Sequence, residues 1–231
     1  MNVIITGASK GIGYELTKLF VADRDNRVIA LSRNLETLTK LQSESGNREN
    51  LEILKLDLAN FSSDVLLNRI SHLERVDILI NNAGALINKP FGKTTMDEWQ
   101  YVYAVNVFGP VRLIKELIPQ LSKSNTPHVV NIGSMGGFQG SAKYKGLSAY
   151  SSSKAALASL TECLAEDLSE YNISVNCLCL GAVNTEMLRE AFPAYDAPLE
   201  SEEIAEFIYN FATKNNKYIN GKILPISLST P

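Results

Sequence analysis

Two side chains that could move a proton lie one helical turn apart near the middle of the chain. Tyr150 and Lys154 are four positions apart, and apolar residues recur at helical spacing behind them, so both side chains should share one helix face. A phenol has a pKa of about 10, and an ammonium group one turn away lowers it. The pair could therefore exchange a proton with a substrate oxygen, although an exposed pair on an amphipathic helix has the same pattern.

The N-terminal stretch has the pattern of a phosphate-binding turn. An apolar run at residues 3–5 leads into the segment TGASKGIG at residues 6–13, and a helical pattern follows. A strand, a glycine-rich turn and a helix form the first half of a dinucleotide-binding unit. Gly7 permits the tight turn, Gly11 lets the backbone approach a pyrophosphate, and Gly13 lets the helix pack on the strand. An ordinary strand-to-helix turn is the alternative.

Apolar runs of strand length alternate with helical segments along the chain. Seven runs are predicted as strands, at residues 3–5, 28–31, 51–56, 76–80, 129–132, 173–180 and 223–228. The alternation predicts an α/β protein, specifically a three-layer doubly wound Rossmann fold with a mostly parallel seven-stranded sheet. Because no linker, repeat or low-complexity stretch is present, we interpret residues 1–231 as a single domain. Ligands on such a sheet bind at the carboxyl ends of its strands.

A helix predicted at residues 95–121 contains a glycine followed by Pro110. Proline has no N–H, so the carbonyl of Asn106, four positions earlier, loses its helical donor. A plain helix kink is the alternative. Ser134 follows the fifth strand, and it should therefore face the same rim of the sheet as the glycine turn.

The composition restricts the partners and the location of the protein. A net charge of −3 over 231 residues argues against a surface for nucleic acid or anionic membranes. No apolar run is long enough to cross a bilayer, and a strand pattern directly after Met1 leaves no room for a signal peptide. The three cysteines and two histidines lack ligand-like spacing, which favours core packing over a disulfide or a metal site. We predict a cytoplasmic protein without a metal.

Together these motifs resemble the short-chain dehydrogenase/reductase family. The resemblance spans residues 2–224 and rests on the glycine turn, the segment NNAG at residues 81–84, and four polar residues in the family's order, Asn106, Ser134, Tyr150 and Lys154. It implies an NADP(H)-dependent oxidoreductase that transfers a hydride between nicotinamide and a carbonyl or alcohol substrate. The expected reaction is reduction of a small ketone or aldehyde, and the expected assembly is a homodimer or homotetramer.

The resemblance also implies roles for individual residues. Tyr150 would donate a proton in reduction, and Ser134 would hydrogen-bond the substrate carbonyl. Lys154 would hold the nicotinamide ribose and lower the Tyr150 pKa, while Asn106 would connect Lys154 to solvent through a water on its freed carbonyl. Residues implied to contact the cofactor are Gly7, Ser9, Lys10, Gly11, Ile12, Gly13, Arg33, Asp57, Leu58, Asn82, Ala83, Gly84, Tyr150, Lys154, Val183 and Thr185.

Two cations favour NADPH over NADH as the cofactor. An NAD site usually has a carboxylate near the end of the second strand for the ribose 2′-hydroxyl, but here Ser32 is followed by Arg33. Lys10 lies inside the glycine turn. In the family, a basic residue at each of these two places marks a preference for NADP. Alternatively, both are ordinary solvated surface cations.

Three features depart from the family's pattern. Ser134 and Tyr150 are 16 positions apart, which is longer than usual and indicates an insertion within residues 141–146 that reshapes one wall of the pocket. The substrate lid, at residues 186–200, is short and ends at a helix predicted over residues 201–213 with Ser201 as its cap. The common C-terminal glycine pair is replaced by SLST at residues 227–230, which argues against a tetramer.

Other functions remain open from the sequence alone. A 3-oxoacyl thioester reductase would need a basic patch for an acyl-carrier protein, and no such patch is concentrated near the lid. A catalytically silent, nucleotide-sensing Rossmann protein would be favoured by loss of any of the four polar residues, all of which are present. A methyltransferase also uses a glycine-rich turn, but it would have no use for the pair Tyr150 and Lys154.

Overall fold

Seven strands form one parallel sheet in the computed structural model, which describes residues 1–228. The order is β3-β2-β1-β4-β5-β6-β7, so the chain reverses its direction of winding between β1 and β4. The predicted doubly wound Rossmann fold is confirmed, and every strand pair is parallel. The strands are β1 (Asn2–Thr6), β2 (Arg27–Ser32), β3 (Leu51–Lys55), β4 (Ile78–Asn81), β5 (His128–Ser134), β6 (Ser174–Leu180) and β7 (Ile223–Ile226).

Helices cover both faces of the sheet and bury its apolar side chains. The helices are α1 (Gly11–Ala22), α2 (Leu35–Glu44), α3 (Ser63–Ile70), α4 (Met96–Tyr103), α5 (Gly109–Leu121), α6 (Ser148–Asp167), α7 (Glu186–Ala191) and α8 (Ser201–Lys214). One core lies between the sheet and α1, α2 and α8, and the other between the sheet and α3, α5 and α6. Within residues 1–228, no helix has both the length and the apolar character needed to cross a bilayer.

The long helix predicted at residues 95–121 is interrupted by one wide turn. The segment Ala104–Phe108 is π-helical, and the Gly109 N–H donates to the Ala104 carbonyl five residues earlier. A Cβ on Gly109 would lie 2.9 Å from Leu58 Cβ, so only glycine allows this close packing. Pro110 follows in the first turn of α5, where a missing N–H is tolerated.

Two element boundaries differ from the sequence prediction. The seventh strand ends at Ile226 rather than residue 228, and residues 229–230 of the segment SLST lie outside the described part of the chain. Ser201 does not cap α8: Glu200 does, through a reciprocal pair of hydrogen bonds with Glu203. The Ser201 hydroxyl instead donates to the Asn184 carbonyl at 3.2 Å and connects the helix to the loop after β6.

A fully buried histidine connects the sheet to α8. His128 Nδ1 lies 3.0 Å from the Ala212 carbonyl, and its Nε2 lies 3.1 Å from Asn176 Nδ2. Only the neutral ring with a proton on Nδ1 satisfies both neighbours, since Asn176 Nδ2 can only donate. Burial lowers the pKa of His128 to about 4. A charged ring would therefore be strongly disfavoured in the folded protein.

This histidine should make the protein less stable in acid. In the unfolded chain the His128 pKa returns to about 6.5, so the unfolded state binds more protons as the pH falls from 6.5 towards 4. Between pH 7.5 and 4.5 this group alone should remove about 2–3 kcal/mol of unfolding free energy. Urea unfolding of wild type and His128→Gln at both pH values measures this. The decrease in unfolding free energy between pH 7.5 and pH 4.5 should be smaller in the variant than in the wild type by about 2–3 kcal/mol. Equal decreases in the two proteins would contradict the assignment.

Candidate active site

An open cleft runs along the carboxyl ends of the strands. Its volume is about 1590 Å³, its open mouth included, and the lid helix α7 borders one side. The cleft is lined by every residue predicted to act in catalysis or to contact the cofactor except Gly13 and Asn106, which lie beneath its surface. The structure therefore brings the predicted site residues together, and their individual roles stay predictions.

The glycine turn lies unusually close to the loop after β4. Gly7 and Gly11 have positive φ angles of 69° and 56°. A Cβ on Gly7 would lie 2.8 Å from Ala83 Cα, and one on Gly13 would lie 2.4 Å from Asn82 Nδ2. No side chain fits at either place, so this backbone forms a narrow cradle next to the N-terminus of α1, which suits a pyrophosphate.

The two predicted cations both lie at the cleft and both have partners. Lys10 Nζ is 2.5 Å from Glu186 Oε2 at the start of α7, and both side chains are about half exposed. Arg33 is exposed, donates a hydrogen bond to the Tyr101 hydroxyl on α4, and has its guanidinium 5.8 Å from the centre of that ring. Lys10 is thus engaged by the lid, whereas Arg33 is held by a neutral partner.

The catalytic candidates meet on the floor of the cleft. Tyr150 and Lys154 lie one turn apart in α6, as the spacing predicts, and Ser134 ends β5. Ser134 Oγ accepts from the Gly136 N–H at 3.1 Å, which orients the hydroxyl and leaves its own O–H available as a donor. Burial raises the pKa of Tyr150, and the Ser134 hydroxyl beside it works in the opposite direction.

The expectation that Lys154 lowers the Tyr150 pKa is not met in this structure. Lys154 Nζ donates to the Ile132 carbonyl at 2.7 Å, and the side chain is buried at the floor of the cleft. The same burial lowers the pKa of Lys154 to about 8. Because desolvation dominates at both groups, Tyr150 is a protonated phenol at neutral pH, while most Lys154 side chains still carry a charge.

Asn106 organises the site through its side chain. Its Oδ1 accepts from the Ala85 N–H at 2.7 Å, and its Nδ2 donates to the Ala85 carbonyl and to Ser153 Oγ, each at 2.9 Å. The fully buried amide therefore connects the loop after β4 to the helix that carries Tyr150. Gly84 lies close to both Lys154 and Asn106. A Cβ on Gly84 would be 3.6 Å from Lys154 Nζ and 3.7 Å from Asn106 Oδ1.

Removing the Asn106 side chain should lower the unfolding free energy more than removing the hydroxyl of its partner Ser153. Asn106→Ala leaves the buried N–H and carbonyl of Ala85 unpaired, so we expect a loss of about 2–4 kcal/mol in unfolding free energy. Ser153→Ala breaks the Asn106 contact and a hydrogen bond to the Tyr150 carbonyl, and should cost about 1–2 kcal/mol. Urea unfolding of both variants measures the difference, and equal costs would show that the Ala85 contacts contribute little.

The sequence did not indicate several residues that complete the site. Tyr144 from the insertion and Phe192 from the lid pack with ring centres 5.7 Å apart in an edge-to-face arrangement at the cleft. Glu186, Tyr101 and Ser153 contact Lys10, Arg33 and Asn106, respectively. For the two aromatic residues a signal existed, since each falls in a segment that departs from the family's pattern. The other three contacts join residues remote in sequence, and no local pattern marks them.

Comparison with known proteins agrees with this geometry. Residues 1–196 match the family model described as short chain dehydrogenase. Dehydrogenase/reductase SDR family member 7B of Xenopus tropicalis is 34% identical over 193 residues, which cover 80% of this chain and 62% of that protein.

Two solved structures show the same fold with different cofactors. A short chain dehydrogenase from Escherichia coli CFT073 complexed with NADPH is 29% identical, has a TM-score of 0.87, and covers 97% of this chain and 95% of that one. A 4-hydroxyisoleucine dehydrogenase complexed with NADH is 27% identical, with a TM-score of 0.83 and coverage of 98% and 96%. The chain therefore belongs to the short-chain dehydrogenase family of oxidoreductases, which bind a nicotinamide cofactor.

Proposed function

We propose that the protein is a cytoplasmic, NADP(H)-dependent carbonyl reductase that converts a small ketone or aldehyde into the alcohol, with Tyr150 as the proton donor. The observation that carries this proposal is the meeting of Tyr150, Ser134 and Lys154 on the floor of one cleft whose other end is a glycine cradle. A homodimer or homotetramer is part of the proposal, and light scattering of the purified protein tests it.

The residues at the cradle fit a nicotinamide dinucleotide. Gly7 and Gly13 leave room for the pyrophosphate, and the exposed guanidinium of Arg33 is suited to a 2′-phosphate. Ser9, Asp57, Asn82, Val183 and Thr185 would complete the contacts, from the adenine side to the nicotinamide side. When bound, the cofactor supplies the hydride that reduces the carbonyl carbon.

The protein's own residues would bind the carbonyl oxygen and protonate it. The Ser134 O–H donates to this oxygen and polarises the carbonyl. Tyr150 is protonated at neutral pH because burial raises its pKa, so its hydroxyl can pass a proton to the oxygen as the carbon is reduced. A proton from solvent then restores the phenol at Tyr150, while Lys154, whose ammonium group is held by the Ile132 carbonyl, would bind the nicotinamide ribose.

The direct test is turnover of carbonyl compounds followed at the nicotinamide absorbance. Purified protein is mixed with NADPH and with ketones and aldehydes of different size and charge, and then with NADP⁺ and the matching alcohols. We expect turnover that depends on both the carbonyl compound and the protein. A protein that binds NADPH but oxidises it with no compound in the panel would contradict the proposed activity and would favour a nucleotide sensor.

A further inference from the structure

We propose that the substrate pocket selects uncharged, apolar carbonyl compounds, because an aromatic roof built from the insertion and the lid borders it without adding a charged side chain. This inference rests on the proposed function and adds the substrate class. The aromatic roof is the pair Tyr144 and Phe192, whose ring centres are 5.7 Å apart.

The catalytic end of the cleft has apolar walls. Leu86 follows β4, Met135 follows β5, and Leu147 precedes the helix that carries Tyr150. Met187 from α7 completes the wall on the lid side. A carbonyl compound that reaches the Tyr150 hydroxyl is therefore in contact with hydrocarbon and thioether groups, and burial of its apolar part favours binding.

The charged side chains of the cleft lie elsewhere or have partners. Lys10, Arg33 and Asp57 follow the ends of β1, β2 and β3, which is the cofactor end, and Glu186 pairs with Lys10. Lys154 lines the floor, but its side chain is buried and its ammonium group already donates to the Ile132 carbonyl at 2.7 Å.

The lysines beside Tyr144 do not supply a counter-charge inside the pocket. Lys143 Nζ donates to the Phe138 and Ser141 carbonyls at 2.8 and 3.1 Å, and neither it nor the exposed Lys145 lines the cleft. A substrate carboxylate next to the aromatic roof would therefore lose its hydration without gaining an ionic partner, which is strongly unfavourable.

The aromatic roof is held in place from below by the loop after β4. Asn88 Nδ2 donates to the Ala191 carbonyl of the lid at 2.9 Å, and the Lys89 N–H donates to the Gly146 carbonyl of the insertion at 3.0 Å. Gly146 has a φ of 86°, and a Cβ there would lie 2.1 Å from Asn88 Oδ1. One loop thus fixes both segments, so the apolar enclosure exists before a substrate enters.

Matched pairs of carbonyl compounds test this selectivity. Benzaldehyde is compared with para-carboxybenzaldehyde, and cyclohexanone with the cyclohexanone that carries a carboxylate on the opposite ring carbon. We expect kcat/KM to be at least about a hundredfold lower for the charged member of each pair that is reduced. The carboxylate of the aldehyde does not make the carbonyl less reactive, so intrinsic chemistry does not produce this difference.

Variants of the aromatic roof show whether this enclosure is the cause. Phe192→Lys should lower kcat/KM for benzaldehyde at least about tenfold and raise it for para-carboxybenzaldehyde, because the new ammonium pairs with the carboxylate. Tyr144→Ala should reduce kcat/KM for the uncharged members, whereas Tyr218→Ala, at a site 72% exposed, is the matched control and should change neither. NADPH affinity, measured by fluorescence, should stay within a few-fold in all three.

The outcomes separate this inference from the function on which it rests. Equal or better use of the charged members by the wild type overturns the inference while leaving the reductase activity intact. An unchanged ratio in Phe192→Lys also overturns it. Turnover of neither member of any pair, in a protein that still binds NADPH, counts against the reductase activity itself and therefore against both.

Discussion

A Tyr150→Phe variant is expected to lose at least about 10²–10⁴ in kcat while keeping its cofactor affinity within a few-fold. Phenylalanine preserves the packing of α6 and removes only the hydroxyl that donates the proton. General acid catalysis is worth about 10²–10⁴-fold, and of the two proposed hydroxyl donors to the developing oxyanion, Tyr150 and Ser134, the variant keeps only Ser134. Turnover at saturating NADPH and carbonyl compound, together with fluorescence titration of NADPH, gives both quantities.

The control for this variant is a tyrosine on the surface. Tyr218→Phe removes a hydroxyl from a side chain that is 72% exposed and should leave kcat unchanged. If Tyr150→Phe reduces carbonyl compounds at a rate close to that of the wild type, the proton comes from another group, and the proposed mechanism is wrong.

The second large effect is expected in the choice between NADPH and NADH. Hydrogen bonds to a charged 2′-phosphate contribute about 1.5–3 kcal/mol each, and the lower value suits the exposed Lys10 and Arg33, or about 3 kcal/mol together. At 1.4 kcal/mol per factor of ten, this corresponds to about a hundredfold in kcat/KM. In the Lys10→Ala/Arg33→Ala double variant, kcat/KM for NADPH should fall by that factor, whereas kcat/KM for NADH should stay nearly unchanged.

The contacts of the two cations indicate that Arg33 contributes more. Its fork can bind phosphate with two hydrogen bonds, and Tyr101 already holds it at the cleft, whereas Lys10 must leave Glu186 first. Glu186→Gln should therefore increase NADPH affinity a few-fold and leave NADH unchanged. Arg27, at the opposite end of the same strand, offers a matched control, Arg27→Ala. A wild type that uses both cofactors equally would contradict the assignment.

The strands and the positions of the residues on the floor of the candidate site could be predicted from the sequence, because both depend on local patterns. The glycine turn follows an apolar run, and the spacing of Tyr150 and Lys154 is one helical turn. Once the sheet is parallel, the polar ends of β1 to β6 must share one rim, so the cleft follows from the topology.

The contacts that shape the pocket could not be predicted in the same way. Asn88 reaches Ala191, 103 positions away, and the rings of Tyr144 and Phe192 meet only because the two segments fold over the same rim. The cap of α8 was predicted wrongly for a related reason. Ser201 is a favoured N-cap type, but the Asn184 carbonyl takes its hydroxyl, and Glu200 caps the helix instead.

The pKa of Tyr150 shows a third kind of limit. Proximity to Lys154 in the sequence suggested a lowered pKa, but the effect of a charge depends on where its atoms point and on how deeply both groups are buried. Lys154 Nζ is turned towards Ile132, and burial raises the pKa of Tyr150. The spacing of two residues along a helix therefore predicts that they share a face, but not that they share a charge interaction.

The buried amides of the central strands have a consequence for how the sheet assembles. β4, β5 and β6 are buried on both faces, so their apolar residues would fit almost as well if one strand shifted along its neighbour. Asn81 Nδ2 donates to Asn131 Oδ1 at 2.8 Å, and Asn131 donates to Thr161 at 2.9 Å. A shift of one residue would turn Asn131 to the opposite face, and a shift of two would place Asn81 beside an apolar side chain or a glycine. Each shift would leave buried amides unpaired, so these side chains select a single alignment of the strands. The same alignment places Ser134, at the end of β5, beside the helix that carries Tyr150.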